Sequence, residues 1–215
     1  MRLPPARATF AIGAITALAW GVVAAAGLTD TVAVLAGFIP ARLTDTVPMP
    51  PGAVPAFLTP LSATLVHAGL AHLGFNLLIF AFCGRLVEAS IGPACFVFLY
   101  IVGAFAAAGG QYLFDPHSLS PMIGASGAGS AVIGAYALLY GRKSVGAWGP
   151  ISGRLLQVVW LAVAWIALQA LIGLTAFGMP GVPLGGTIAV AAHVGGFLAG
   201  LVLARPLLLF RYRSA

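Results

Sequence analysis

Ser126, His193, His72 and Asn76 are the residues of this 215-residue chain whose types and spacing could do chemistry. A serine hydroxyl becomes a nucleophile when a neighbouring base takes its proton, and an imidazole is a suitable base. Ser126 follows Gly124 and opens an apolar run, so a turn and then free helical amides would surround its hydroxyl. Such amides stabilise an oxyanion. The sequence therefore predicts that Ser126 is a nucleophile and His193 its general base.

A second polar group precedes this pair in the chain, in the stretch HAGLAHLGFN. His72 and Asn76 are spaced i, i+4 and share one face of a helix, whereas His67 falls on another face. His72 and Asn76 are therefore the expected side-chain donors to the oxyanion, together with the Ser126 amide. His67 is expected to cap or brace the outer end of its helix.

The acidic residues are few, and none lies within an apolar run where it could orient His193; they are Asp30, Asp45, Glu88 and Asp115. A Ser-His dyad is therefore expected in place of a triad, with Asp115 as a remote third candidate. Glu88 is expected to be structural and to pair with Arg85 or with amides of an inner loop.

The composition determines what must position these residues. The chain is 61% hydrophobic and 7% charged, with a mean hydropathy of +1.07, whereas a soluble domain carries about 25% charged residues. A bilayer must therefore surround most of it, and long apolar runs without alternation predict helices. The net charge is +6, but the basic residues stand singly at the edges of apolar runs. This arrangement is typical of membrane topology and argues against nucleic-acid binding. Cys83 and Cys95 are expected to be free thiols.

The apolar runs predict an all-α membrane protein, a single domain of six transmembrane helices over residues 1–215. A spanning helix needs about 20 largely apolar residues, and the charges that bound the runs place the spans at about 8–28, 66–86, 93–114, 126–141, 155–177 and 187–204. The fourth is short. A proline-rich stretch from Thr29 to about Pro60 separates the first two spans.

Lys and Arg in short loops set the orientation. With the N terminus in the cytoplasm, only Arg42 lies outside, and the basic residues inside are Arg2, Arg7, Arg85, Arg142, Lys143, Arg154, Arg205, Arg211 and Arg213. Both termini are therefore expected to be cytoplasmic, in the plasma (inner) membrane. A cleaved signal peptide is a rival interpretation of the first span, but its apolar run is longer than the usual signal core.

The second, fourth and sixth spans run inward, so their polar clusters meet near the outer face. Ser126 lies roughly 24 Å above Arg142 and His193 roughly 18 Å above Arg205, from the helical rise. Ser126, Ser130 and Gly134 form one stripe, and His193, Gly196 and Gly200 form another on a helix parallel to it. Small residues on facing stripes let membrane helices approach closely. The short fourth span predicts a recessed helix start within a cavity that opens outward.

These motifs resemble those of the rhomboid family of intramembrane serine proteases. The matching residues are Gly124, Ala125, Ser126 and Gly127 of GxSG, then His67, His72 and Asn76, and then Ala192, His193, Gly196 and Gly200 of AHxxGxxxG. Glu88 and Gly92 resemble the family's ExxxG turn. Together the matches cover the chain from about residue 60 to its end.

The resemblance implies a six-helix fold in which Ser126 attacks a peptide bond in a membrane segment of another protein, His193 moves the proton, and Asn76, His72 and the Ser126 amide hold the oxyanion. It implies transmembrane protein substrates, a surrounding bilayer, and neither metal nor organic cofactor. Two features depart from the family. The first outer loop has no Trp-Arg pair, and Ser130 stands where many members place a tyrosine under the histidine ring. A less constrained His193, or a different stacking partner, would follow.

Other interpretations remain for the same residues. A stripe of small residues in a membrane helix is more often plain packing than catalysis. A catalytically silent rhomboid-like protein would bind client helices without cutting them, although such proteins typically lose the serine or the histidine. A small-solute or metal transporter could use His67, His72 and His193, but no cysteine or carboxylate accompanies them. The protease interpretation is preferred because the reactive groups share one depth.

Overall fold

Eight α-helices and a few single 3-10 turns make up the described part of the chain in this computed structural model. The structure describes residues 5–44, 47–141, 146, 149–176 and 189–213. The helices are α1 (Arg7–Ala25), α2 (Thr29–Ala36), α3 (Thr59–Ser62), α4 (Leu70–Ile91), α5 (Pro93–Phe114), α6 (Ser126–Tyr140), α7 (Gly153–Ala176) and α8 (Val190–Arg211).

Four of these helices, α1, α4, α5 and α8, are long and apolar enough to cross a membrane. Helix α6 has 15 residues, which is about 22 Å at the helical rise and shorter than the hydrocarbon core of about 30 Å. Helix α7 has 24 residues. An all-helical membrane architecture is therefore confirmed for the described residues, whereas six crossings stay a prediction.

A helix coincides with each of the six predicted spans, but several boundaries differ. Helix α1 ends at Ala25 and not near residue 28, and helix α4 continues past the predicted end at residue 86 to Ile91. Helix α4 begins at Leu70 and not near residue 66, because Val66 has extended backbone after a 3-10 turn. Helix α8 continues past the predicted end at residue 204, through Pro206, to Arg211. Residues 177, 187 and 188 of the predicted spans, and the boundary residues Arg142 and Lys143, lie outside the described residues.

The stretch between the first two long helices is folded, not simply a proline-rich connection. It contains α2 and the 3-10 turns Pro40–Thr44, Ala56–Leu58 and Ala63–Leu65. The Arg42 guanidinium is buried and donates to the Val34 carbonyl at 2.6 Å. Phe38 is buried and exchanges two main-chain hydrogen bonds with Met122, at 3.0 and 2.8 Å. These contacts pack the loop that lacks the Trp-Arg pair, and they tie it to the segment before α6.

Helix α6 lies at the centre of the bundle. It packs most extensively against α8 and also contacts α5 and α4. Small residues allow this arrangement, because nearly every residue of α6 from Ser126 to Ala137 is buried. In α8, a Cβ on Gly196 would collide with the Gly127 carbonyl, and one on Gly200 with the Ala131 carbonyl. The predicted close approach of the two small-residue stripes is thus present.

A buried carboxylate joins α1 to α4 at the opposite end of the bundle from Ser126. Glu88 Oε1 accepts a hydrogen bond from the Ala8 amide at 3.0 Å, and Oε2 accepts from the amide and hydroxyl of Thr9 at 2.8 and 2.7 Å. Of the two expected kinds of partner, Arg85 or amides of an inner loop, Glu88 thus has amides, and they belong to the start of α1. The Arg85 guanidinium instead lies over the Phe10 ring, 5.9 Å from its centroid.

The turn after Glu88 depends on a glycine. Gly92 has φ of 83°, and a Cβ there would lie 3.0 Å from a guanidinium nitrogen of Arg211. That guanidinium donates to the carbonyls of Glu88 and Ala89 at 3.3 and 3.2 Å. The turn that contains Glu88 and Gly92, which resembles a family motif, therefore connects α4 to α5 and contacts α8 through Arg211. Cys83 and Cys95 are free, as expected.

Candidate active site

Ser126 and His193 meet between α6 and α8. The His193 Nε2 atom lies 2.9 Å from the Ser126 Oγ atom, within hydrogen-bond distance. Ser126 is 7% exposed and His193 5% exposed. A buried imidazole in contact with a buried hydroxyl is the arrangement that activates a serine nucleophile.

The approach of the two helices depends on glycines near this pair. Gly196, one turn after His193, packs against the Gly127 carbonyl of α6. Gly200, one turn later, packs against the Ala131 carbonyl. From the α6 side, a Cβ on Gly134 would collide with the Phe197 carbonyl. Along this glycine seam, formed by Gly134, Gly196 and Gly200, main-chain atoms of α8 pack directly against main-chain atoms of α6. Because main-chain atoms have no side-chain rotamers, these contacts fix the distance between the two helices near Ser126.

The turn before Ser126 requires glycine at position 124. Gly124 has φ of 107°, a left-handed conformation that side chains rarely adopt. A Cβ at this position would lie 2.7 Å from Cε1 and Nε2 of His72 and 3.8 Å from Ser126 Oγ. The Gly124 amide donates to the Ala63 carbonyl at 2.9 Å. The bond to the Ala63 carbonyl thus holds the turn in place, and the absence of a side chain at position 124 leaves space for His72 beside the serine.

Helix α6 begins at Ser126 with free main-chain donors. The first intrahelical bond runs from the Gly129 amide to the Ala125 carbonyl at 2.7 Å. The amides of Ser126, Gly127 and Ala128 precede it and have no intrahelical acceptor. Donors of this kind, at the positive end of a helix, can stabilise an oxyanion formed beside Ser126.

His67 is fully buried in the segment before α4, and it holds the residue that precedes the serine. Its Nε2 accepts a hydrogen bond from the Ala125 amide at 3.3 Å. A ring nitrogen that accepts a hydrogen bond carries no hydrogen, so the imidazole takes part in this contact in its neutral form. The prediction that His67 braces the end of its own span needs correction, because the bond reaches the turn before α6.

His72 and Asn76 lie one turn apart on α4. The Asn76 side-chain amide is buried and donates to the His72 carbonyl at 2.8 Å. His72 Nδ1 accepts from the Ala68 amide at 3.5 Å, and the ring stands against Gly124. The structure thus brings His72 to the serine turn and Asn76 to the same face of α4. Their role in holding an oxyanion stays a prediction.

Trp165, on α7, is a site residue that the sequence analysis missed. Its indole Nε1 donates to Ser130 Oγ at 2.7 Å, and its ring stands edge-on to the His193 ring, with centroids 6.2 Å apart and planes at 70°. The different stacking partner expected for His193 is this tryptophan. The available signal was an indole N–H in a predicted span, since such a donor needs an acceptor, and Ser130 was a polar residue at a suitable depth.

The remaining predictions concern the acidic residues and the cavity above Ser126. Asp115 is exposed at the end of α5, where its amide donates to the Gln111 carbonyl, and Asp45 lies outside the described residues. Two cavities in the described part of the chain lie away from Ser126. One, of about 280 Å³, is lined by Phe38, Phe57 and Tyr112 among others, and one of about 390 Å³ is lined by Arg211 and Arg213 among others. The cavity predicted to open outward above the serine stays a prediction.

Comparisons with known proteins agree with the motifs. The profile of the Rhomboid domain matches residues 55–210. Rhomboid protease GluP of Bacillus subtilis (strain 168) is 35% identical over 88 residues, which are 40% of this chain and 16% of that protein. Rhomboid-related protein 2 of Mus musculus is 30% identical over 146 residues, which are 66% of this chain and 45% of that protein. The chain spans less than half the length of either relative.

Proposed function

The chain belongs to the rhomboid family of integral, multi-pass membrane proteins, and we propose that it is a serine endopeptidase that cleaves transmembrane segments of other membrane proteins. The observation that carries this proposal is the 2.9 Å contact between His193 Nε2 and Ser126 Oγ. It lies between two apolar helices, so a substrate for this pair would have to reach it within the bilayer.

In the proposed reaction, His193 Nε2 takes the Ser126 hydroxyl proton while Oγ attacks the carbonyl carbon of the scissile peptide bond. The resulting oxyanion is held by the Ser126 amide and by His72 and Asn76. His193 then gives its proton to the leaving amine, and the peptide bond breaks to leave an acyl-serine. A water molecule, deprotonated by His193, hydrolyses this ester and restores the serine.

The hydrogen bonds of His72 and Asn76 suit both residues to donate. Because His72 Nδ1 accepts from the Ala68 amide, the ring's hydrogen belongs on Nε2, the atom that lies beside Gly124. The Asn76 amide nitrogen carries two hydrogens, and one of them is used on the His72 carbonyl. The second is available to an oxyanion. The same contacts fix the orientation of both side chains before substrate arrives, which favours electrostatic stabilisation.

The proposal includes a topology of six crossings in one domain, with both termini cytoplasmic and the serine open to the outer side of the plasma (inner) membrane. Its support is the charge distribution. Arg85 and Arg211 lie at the end of the bundle opposite Ser126, as the positive-inside rule requires. Transmembrane proteins are the proposed partners, and no cofactor takes part in the proposed reaction.

Purified protein in proteoliposomes, mixed with a fluorescent reporter that carries one transmembrane segment, tests the proposal. We expect cleavage by the unchanged chain, loss of cleavage in Ser126→Ala and His193→Ala, and fluorophosphonate labelling at Ser126. Matched controls are Ser120→Ala and His117→Ala, which change an exposed serine and histidine in the loop between α5 and α6. Both should cleave normally.

The same experiment separates the protease from a client-binding protein. Cleavage that persists in Ser126→Ala would remove the assigned nucleophile. Binding of the reporter without cleavage or labelling, in the unchanged chain and in Ser126→Ala alike, would favour the catalytically silent alternative.

A further inference from the structure

Trp165 is buried, unlike most of the described side chains around it on α7. Trp165 is 6% exposed, whereas Trp160 on the same helix is 62% exposed. Among the α7 side chains that the structure describes, Val158 and Trp165 are the buried hydrophobic ones. The indole is therefore a principal contact through which α7 reaches the centre of the bundle.

The indole is connected to the serine residue by two consecutive hydrogen bonds. Trp165 Nε1 donates to Ser130 Oγ at 2.7 Å, and Ser130 Oγ donates to the Ser126 carbonyl at 2.8 Å. Ser130 is fully buried. Linked hydrogen bonds in a low-dielectric interior polarise one another, so each orients the next. The first turn of α6 is thus fixed by a side chain of α7.

The same indole also contacts the base. The rings of Trp165 and His193 meet edge to face, with centroids 6.2 Å apart and an angle of 70° between planes. This geometry is favourable for a pair of aromatic rings. It restricts rotation of the imidazole about its side-chain bonds, and such rotation would separate Nε2 from Ser126 Oγ.

We propose that Trp165 is a positioning residue for both members of the dyad. It holds the His193 ring by direct contact, and it holds the first turn of α6 through Ser130. This inference rests on the proposed function, since it assigns Trp165 a role in that reaction. Trp165 acts through Ser130 and His193, so its loss should lower the rate of the chemical step more than it weakens substrate binding.

Substitutions that separate the hydrogen bond from the ring test the proposal. Trp165→Phe keeps an aromatic ring and loses the N–H donor, and we expect kcat to fall by about 5- to 10-fold, the effect of one neutral hydrogen bond. Trp165→Ala also removes the ring, and a misplaced base should lower kcat by about 100-fold. KM should stay within about twofold in both, as for a residue that positions groups for the chemical step. Trp160→Phe is the matched control and should leave both parameters unchanged.

A double-mutant cycle locates the effect. Trp165→Phe and Ser130→Ala break the same hydrogen bond, so the double variant should be hardly slower than the slower single variant. Independent effects that multiply would show that the indole N–H does not act through Ser130. A wild-type kcat in Trp165→Ala, or a loss confined to KM, would overturn the proposal altogether.

A measurement without substrate keeps this inference separate from the proposed function. The thermal unfolding of Trp165→Ala, His193→Ala and their combination should be non-additive, because each change removes one of the two rings that touch, whereas Trp160→Ala and His193→Ala should combine additively. Additivity at Trp165 would contradict the ring contact even in an active protein. If the unchanged chain neither cleaves nor labels, the proposed function fails and the role of Trp165 in catalysis fails with it, while non-additivity would still establish the contact.

Discussion

The two ends of the bundle each contain a buried polar residue, but the two residues have different partners. Glu88 is 4% exposed and its carboxylate accepts three hydrogen bonds from the start of α1. Ser126 is 7% exposed, and its hydroxyl lies against a ring nitrogen of His193. At Glu88 the donors surround an acceptor and stabilise it, whereas at Ser126 a ring nitrogen that can accept a proton lies against a hydroxyl that can donate one.

This difference shows how a buried polar group in a membrane helix can be assigned to structure or to chemistry. An intramembrane polar residue is a functional candidate by default, and by that criterion Glu88 and Ser126 are equivalent. Their hydrogen bonds distinguish them. Substitution at Glu88 should therefore change stability, and substitution at Ser126 should change activity.

The largest expected effect is that of Ser126→Ala on activity. Cleavage of a reporter membrane segment should fall by at least about 10⁴-fold, because the proposed nucleophile is lost. The free energy of unfolding should fall by only about 1 kcal/mol, the contribution of one neutral hydrogen bond. Reporter cleavage and denaturant unfolding of the same preparation measure the two quantities. A large loss of stability would place Ser126 with Glu88 among the structural residues.

Glu88→Ala should lower stability and leave activity unchanged, the reverse of what is expected for Ser126→Ala. The variant loses all three hydrogen bonds to the carboxylate, and at about 1.5 kcal/mol for each of them the free energy of unfolding should fall by about 4 to 5 kcal/mol. The folded fraction should cleave the reporter at the unchanged rate. Asp30→Ala, at an exposed carboxylate in the first turn of α2, is the control and should be nearly neutral. A Glu88→Ala protein of normal stability would contradict the structural assignment.

Asn76→Ala should lower kcat by about 100- to 1,000-fold, the usual effect of removing one oxyanion donor. KM and the thermal midpoint should change little, because the amide's ground-state bond is to the carbonyl of its own helix. Steady-state kinetics with the reporter measure kcat and KM separately. An undiminished kcat would remove Asn76 from the oxyanion site and leave His72 with the α6 amides.

The smallest expected effects concern the glycine seam. Gly196→Ala and Gly200→Ala should each destabilise the protein by about 2 kcal/mol, since the new methyl group would collide with a main-chain carbonyl. Gly129→Ala is the control on α6, because a Cβ there meets no atom within 4 Å. It should be neutral or stabilising by up to about 1 kcal/mol. Equal effects at all three positions would show that the helices are not held at backbone contact.

The sequence was sufficient to predict the long helices and the pairing of Ser126 with His193. Both predictions depended on periodic signals, the length of apolar runs and the spacing of small and polar residues. The depth estimate relied on Arg205 as an inner boundary, although α8 continues to Arg211. Helical spacing on α6 and α8 was enough to bring the two residues together, because close packing of small residues is a property of both stripes.

The contacts that cross between elements could not be predicted in this way. Trp165 and Trp160 are similar in sequence context, and only the fold determines which one is buried. The partner of Glu88 belongs to a helix about 80 positions away in the chain. His67 was interpreted through helical faces, but α4 begins three residues after it. Such partners depend on tertiary packing, for which a single sequence carries no periodic signal.

The bonds from Glu88 to the start of α1 also determine how deep that helix sits in the bilayer. The Ala8 and Thr9 amides meet one carboxylate, so sliding α1 along α4 by a single turn would break every bond to it. Apolar residues inserted into α1 could therefore not be accommodated at this end. The added length would have to emerge at the far end, beneath the folded loop, and push that loop outward.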